Sequence, residues 1–207
     1  MKLTLACACS LLVALFLSAA CTVSLPAEPT RTPTPLTITA ERLRQELLER
    51  EDVDQAVRTQ LAENWRDPAV GAELMRVDAE NTAWLKQVVV TFGWPSQSLV
   101  GSRAADAAWL LVQHADHDVA FQKEALALMA PLVDQNEVTK QNYAYLYDRV
   151  ATNEGRPQRY GTQGQCTGAH TWEPNQLEDP TQVDALRRSM NLPPLDDYKK
   201  QFYSICP

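Results

Sequence analysis

The spacing of apolar residues, together with the distribution of glycine, most constrains how this chain can fold. From Thr39 onward, apolar side chains recur three and four residues apart, which is the spacing of one face of an α-helix. The chain holds only 7 glycines, and four of them lie between Gly155 and Gly168. Alternation typical of strands is weak throughout. We therefore predict a single all-α domain of about six or seven helices over residues 39–207.

Capping residues and prolines divide this pattern into helices. Thr39 is placed to cap a first helix, and an apolar stripe then continues at spacings of four until Pro68. Ser102 is placed to cap a helix that is apolar on almost every side, which predicts burial on most sides. The stripe consists of Val53, Val57, Leu61 and Trp65. Further helices are predicted at about residues 69–92, 104–112, 119–133, 138–151 and 183–190.

One long segment breaks the helical pattern. Residues 153–180 are rich in glycine and proline, and they contain Tyr160, Cys166 and Trp172. Loops of that length in a compact domain are usually functional or disordered. The aromatic side chains and the cysteine favour an ordered loop.

The N-terminal residues are typical of a secretory signal followed by a spacer. Lys2 precedes an apolar run without charge, and small residues follow at 18–20. The run is too short for a membrane-spanning helix. Residues 18–21 resemble a bacterial lipobox, which implies that Cys21 is lipidated and becomes the mature N-terminus. We predict a signal peptide at residues 1–20 and a lipidated cysteine with an extended Pro/Thr-rich linker at residues 21–38.

Cysteine usage agrees with export. Beyond the signal region the chain keeps Cys166 and Cys206, which predict a disulfide in an oxidising compartment. Two free thiols are the alternative. His170 follows Cys166 at four residues, but with Cys206 this makes three metal ligands at most. We expect no metal and no cofactor.

The charge of the chain excludes one class of partner. The formal net charge is -7, and no basic run occurs. We therefore expect no nucleic-acid binding and no attachment of protein side chains to anionic lipid. The expected contact with a membrane is the lipid anchor, in the bacterial cell envelope. Ordinary cleavage before Cys21, giving a secreted or periplasmic soluble protein, is the alternative.

Five motifs occur in a recognisable order along the chain: GWPSQSLVG, LLVQHAD, AYLYDRV, YGTQ and VDALRRSMNLPPLDDY. They resemble a family of uncharacterised bacterial proteins, over a range from about Asp78 to Tyr198. The resemblance implies that residues 113–116 and 160–163 carry the QHAD and YGTQ signatures of that family. It implies no activity, because the family is known only as a domain of unknown function. The segment GQCTGAH lies outside the resemblance.

The segment QHADHD, residues 113–118, is the strongest candidate for chemistry. His114 and His117 lie three residues apart on a helix, a spacing that can hold a metal with a carboxylate. His114 beside Asp116 also suits a general acid or base, or a polar binding group. The structural alternative is a buried histidine bonded to a backbone carbonyl, with Asp116 or Asp118 capping the next helix.

Other polar side chains next to apolar segments are candidates to join His114. Arg149 is expected to pair with Asp116 or Asp148, or to hold an anionic substrate. Because inward polar groups need partners, we predict that His114, Asp116, Arg149, Tyr160 and Gln163 lie together. The alternative is a loop clamped to the body by its own side chains. The predicted catalytic residues are His114, Asp116 and Arg149, and the predicted binding residues are Gln113, Asp148, Tyr160, Thr162 and Gln163.

Two functions remain open. The chain has no nucleophile elbow, Walker loop, HExxH or CxxC motif. The first function is an envelope-anchored domain that binds an unidentified small molecule or protein. The alternative is a hydrolase, lyase or transferase that uses His114 as general acid or base.

Overall fold

A computed structural model of the chain describes residues 39–207. Over these residues it contains helices and one antiparallel hairpin, formed by β1 (Gly164–Gly168) and β2 (Thr171–Pro174). The helices are α1 Ala40–Glu63, α2 Pro68–Phe92, α3 Gln97–Val100, α4 Ser102–Gln113, α5 Val119–Val133, α6 Lys140–Asn153, α7 Val183–Ser189 and α8 Leu195–Lys200. The prediction of a helical domain is confirmed. The predicted signal peptide and linker, with Cys21, lie outside the described residues.

Helix α4 lies at the centre of the helical body. It packs against α1, α2, α3, α5 and α6. Its alanines let the neighbouring helices approach closely, and Ala104, Ala107 and Ala108 are at most 1% exposed. The prediction of burial on most sides is therefore confirmed. The predicted cap is wrong by one residue, because Gly101, at φ 80°, precedes the helix and Ser102 is already helical.

The first two predicted segments form one continuous helix, α1. Thr39 caps it, as predicted, by accepting a hydrogen bond from the backbone of Arg42. The predicted apolar stripe is correct at Val57, which is buried, but wrong at Val53, which is 51% exposed, and at Trp65, which is 68% exposed. The buried face of α1 carries Leu43, Leu47, Glu51, Asp54 and Val57. Two carboxylates thus occupy core-facing positions, and such groups need partners inside the fold.

The segment that breaks the helical pattern is ordered, as predicted, and it contains the hairpin. Cys166 of β1 is joined to Cys206 of the C-terminal tail, so the predicted disulfide is confirmed. Trp172 of β2 stacks on Phe202 with ring centroids 4.7 Å apart, and both rings contact Tyr198. The bridge and the aromatic cluster together hold the tail against the hairpin.

Within residues 39–207, no helix is both long enough and apolar enough to cross a membrane.

Removal of the disulfide should destabilise the domain. The bridge closes a loop of 40 residues in sequence, which corresponds to about 4 kcal/mol in the chain-entropy treatment. We expect the Cys166→Ser, Cys206→Ser double variant to lose roughly that free energy of unfolding in a urea titration. Wild-type protein in reducing agent serves as the matched comparison and should unfold at the same midpoint. A loss below about 1 kcal/mol would contradict the prediction.

Candidate functional site

Four polar side chains from three helices meet at one edge of the core, and we call them the His114 cluster: Asp54 and Arg58 of α1, Asp78 of α2, and His114, which ends α4. Arg58 Nε lies 3.2 Å from Asp54, and Arg58 Nη2 lies 2.5 Å from Asp78. His114 Nδ1 lies 3.0 Å from the Asp54 carboxylate. The side chain of Asp54 is fully buried, while those of Asp78 and His114 keep 16% and 17% of their surface exposed. The cluster is therefore anchored inside the core and open at its outer side.

Burial and neighbouring charges move the pKa values of the two aspartates in opposite directions. Burial alone would raise the pKa of Asp54, but hydrogen bonds from His114, Arg58 and Gln55 outweigh it and hold the pKa below its usual range. At Asp78, burial dominates and raises the pKa, although Arg58 partly offsets it. Environments that separate the pKa values of neighbouring carboxylates are typical of acid–base sites.

The contact between Asp54 and His114 can fix the imidazole ring. A proton on Nδ1 would be donated to the buried carboxylate, and Nε2 would then carry a free lone pair. Arg58 Nε also lies 3.0 Å from Nδ1 and favours the opposite tautomer. His114 was predicted from the sequence, but the carboxylate that contacts it is Asp54 and not Asp116.

Asp148 of α6 anchors the neighbouring loop by accepting hydrogen bonds from it. Its fully buried carboxylate accepts backbone N–H bonds from Arg159, Tyr160 and Thr162, and a hydroxyl bond from Thr162. Burial still dominates and raises the pKa of Asp148, although these hydrogen bonds oppose it. Gln163 donates to the Thr162 hydroxyl. The YGTQ loop is therefore clamped to the body, but mainly by the Asp148 carboxylate through backbone N–H groups and not by the side chains of Tyr160 and Gln163, as the alternative proposed.

Asp116 and Arg149 belong to a further network. They form the expected ion pair, at 3.4 Å, but the Asp116 side chain is 51% exposed. Asn153 and Gln122 also donate to Asp116. The backbone carbonyl of Gln113 accepts from Gln122, while its side-chain oxygen is buried without a hydrogen-bond partner among the described residues.

The polar residues predicted to converge thus fall into separate networks. Within residues 39–207, no hydrogen bond or ion pair joins His114 to Asp116, Arg149, Tyr160 or Gln163. The hydrogen bonds and ion pairs of His114 therefore do not support the predicted grouping of these four residues around it. The catalytic and binding roles assigned to them from the sequence stay predictions. Asp118 caps α5, as the structural alternative proposed, by accepting from the backbone of Phe121.

A groove of about 580 Å³ lies between α1 and α2, on a different part of the helix pair from the His114 cluster, and we call it the α1–α2 groove. Arg50 lies in its lining, with its guanidinium 4.3 Å from the ring centre of Trp84. Arg50 Nη1 donates to Asn81 Oδ1 at 3.1 Å. Burial lowers the pKa of Arg50, partly offset by Glu46 and Glu80. Within residues 39–207 no carboxylate forms an ion pair with Arg50, in contrast to Arg76, which binds Glu73 and Glu80.

Sequence reasoning missed Asp54, Arg58 and Asp78 of the cluster and Arg50 of the groove. A signal was present for Asp54, which lies seven residues after Leu47 and three before Val57 on the buried face of α1. A carboxylate at such a position predicts a partner on the facing helix. The identity of that partner depends on helix packing, which local spacing does not encode.

Comparison with known proteins assigns the chain to a family. A family model described as a family of unknown function, DUF6624, matches residues 41–204. The chain belongs to the DUF6624 family. The DUF6624 match starts earlier than the motif resemblance and includes α1 and α2, so it contains both the His114 cluster and the α1–α2 groove. No curated protein and no solved structure matches the chain.

The Asp148 clamp can be tested through stability. Asp148→Asn replaces an accepting oxygen by a donating amide and leaves buried N–H groups of the loop without an acceptor. We expect a loss of about 2–4 kcal/mol in the free energy of unfolding, measured by urea denaturation. Asp184→Asn is the matched control, because Asp184 is exposed and accepts one backbone bond, from Leu195. The control should lose about 1 kcal/mol or less, and equal losses would contradict the clamp.

Proposed function

We propose that this DUF6624 protein is an exported lipoprotein, held at the bacterial cell envelope by lipid on Cys21, and that its domain binds a small molecule in the α1–α2 groove. Support for the location comes from the sequence: an uncharged apolar run, small residues before Cys21, and a Pro/Thr-rich spacer. The disulfide is consistent with an oxidising compartment outside the cytoplasm.

The observation that carries the binding proposal is that the Arg50 guanidinium is held in place without an ion pair to any described residue. Its guanidinium is held by Trp84 and Asn81, so it is already fixed in the groove before any ligand arrives. It lacks an ion pair with the described residues, and a partly buried guanidinium without a direct carboxylate contact is a favourable partner for a ligand carboxylate. Pre-positioning of the guanidinium lowers the entropy lost on binding.

The surrounding charges narrow the ligand class. Glu46, Glu49 and Glu80 line the groove together with Arg50 and Arg76, so its carboxylates outnumber its cations by one. A purely anionic ligand would be repelled, whereas an ammonium group would be attracted. Val53 adds an exposed apolar surface. The volume lies within the range of about 300–1,000 Å³ that is usual for small-molecule sites. We therefore propose an amphoteric ligand with a carboxylate and an ammonium group, such as an amino acid or a short peptide.

A second candidate function is acid–base catalysis at His114, in a hydrolase, lyase or transferase. The observation that favours it is the contact between His114 and the buried Asp54 carboxylate, which can orient the ring as carboxylates do in acid–base sites. The same cluster also fits a structural ion-pair network. Turnover of a bound compound distinguishes the two candidates, since binding alone yields no product.

Lipidation of Cys21 is tested by metabolic labelling with a palmitate analogue. We expect label on the exported wild-type chain and none on Cys21→Ser, because the thiol is the acceptor of the lipid. The variant should also leave the membrane fraction. Equal labelling of both proteins, or a wild-type chain that is soluble and unlabelled, would refute the anchor.

The groove is tested with a panel of free amino acids and dipeptides, screened by thermal shift and measured by titration calorimetry. We expect at least one member to bind, and Arg50→Gln to weaken it about 10- to 100-fold through loss of a charge-assisted bond. Arg44→Gln is the matched control, since Arg44 lies on the same helix but is exposed and paired with Glu41. Derivatives that are N-acetylated or amidated should bind more weakly.

Two outcomes would contradict the binding proposal: no binding by any member of the panel, or equal affinity of Arg50→Gln and wild type. The second candidate function makes a different prediction for the same panel. It expects a product, whose formation is lost in His114→Gln.

A further inference from the structure

The His114 cluster brings together the donor atoms of a metal site. One ligand atom from each of Asp54, Asp78 and His114 lies within 4.8 Å of the other two. Bonds from zinc to oxygen and nitrogen are about 2.0–2.2 Å long, so ligands around one ion lie at most about 4.4 Å apart. Side-chain shifts of less than about one ångström would therefore close the set around an ion. The three residues come from α1, α2 and α4, which pack against one another and hold the donors in place.

We infer that Asp54, Asp78 and His114 bind a divalent transition-metal ion, and that the Arg58 guanidinium fills the same position as a competing cation. The inference concerns a different site from the α1–α2 groove and does not depend on the proposed ligand there.

The donor set decides the class of ion. Calcium and magnesium prefer shells made of oxygen, whereas an imidazole nitrogen beside two carboxylates suits zinc, manganese or iron. Three protein ligands leave a coordination position for water, as in catalytic zinc sites. Zinc binds such mixed nitrogen and oxygen sites more tightly than manganese or iron does, so Zn²⁺ is the probe of choice.

Arg58 shows that this position attracts positive charge. Its guanidinium contacts all three donors: Asp54 at 3.2 Å, Asp78 at 2.5 Å and His114 Nδ1 at 3.0 Å. A divalent ion carries twice its charge and would interact more strongly with the two carboxylates. The Arg58 side chain is 27% exposed, so it has a path into solvent when an ion enters. Release of Arg58 into water would also lower its desolvation cost.

Metal binding and acid–base catalysis are alternatives at His114 Nδ1. A nitrogen whose lone pair is coordinated to a metal cannot also carry the proton that is donated to Asp54. Activity that persists in a chelator would support the acid–base role, while metal affinity is measured without any turnover. The two ideas can therefore fail separately.

The test is titration of the purified full chain with Zn²⁺ against a competing chelator. We expect His114→Ala and Asp78→Asn to weaken binding at least tenfold, a change at the lower end of those seen even for indirect partners of metal ligands. His117→Ala is the matched control, because His117 is an exposed histidine three residues away and should leave the affinity unchanged.

Arg58→Ala gives an effect in the opposite direction. Loss of the competing guanidinium should tighten Zn²⁺ binding, and Zn²⁺ should raise the melting temperature of this variant more than that of wild type. Arg103→Ala is its control, since Arg103 also pairs with a buried acid of α1, Glu51, but within residues 39–207 forms no hydrogen bond or ion pair with the three donors. If Arg58→Ala fails to fold, the comparison of His114→Ala with His117→Ala still decides the question. Equal zinc affinity in wild type, His114→Ala and His117→Ala, or no zinc binding at all, would overturn the inference.

Discussion

The non-helical part of this domain depends on one buried carboxylate. Asp148 projects from α6 and accepts the backbone N–H groups of Arg159, Tyr160 and Thr162, which have no helix or sheet to satisfy them. From the other side, the fully buried Arg187 donates to the carbonyl of Tyr160 at 2.6 Å. The backbone N–H groups of this turn thus bind the negative Asp148, and a backbone carbonyl of the same turn binds the positive Arg187. The hairpin follows this turn in the chain, so the turn fixes where the hairpin begins, and the disulfide and the aromatic cluster then hold it to the C-terminal tail.

Much of the fold could be predicted from local pattern because local physics determines it. The caps at Thr39 and Asp118, the limits of α2 and α5, and the burial of α4 depend on residues within one or two turns of one another. The pairing of Cys166 with Cys206 could be predicted because the folded part of the chain offers no other cysteine. Each of these features has few alternatives once the sequence is known.

The candidate site was harder to predict, because polar pairing in a helical domain joins residues that are distant in sequence. His114 and Asp54 are 60 residues apart, whereas Asp116 lies much closer to His114 in the sequence. Spacing shows that Asp54 faces the core, but only the packing of α1 against α4 shows what it meets there. The exposure of Val53 and Trp65 has a related cause: the spacing of apolar residues does not show that the buried face of α1 includes the acids Glu51 and Asp54.

The two candidate sites share the alternating charges of α1. Arg50, Asp54 and Arg58 lie four residues apart, so they project from successive turns on neighbouring parts of the helix surface. Facing them on α2, Asn81 accepts from Arg50 and Asp78 accepts from Arg58. The two arginines differ in their charged partners: Arg58 pairs with two aspartates, whereas within residues 39–207 Arg50 forms no ion pair and is held by an amide and an aromatic ring. That difference is why we place the carboxylate of the proposed amphoteric ligand at Arg50 and the proposed metal ion at the two aspartates of the His114 cluster.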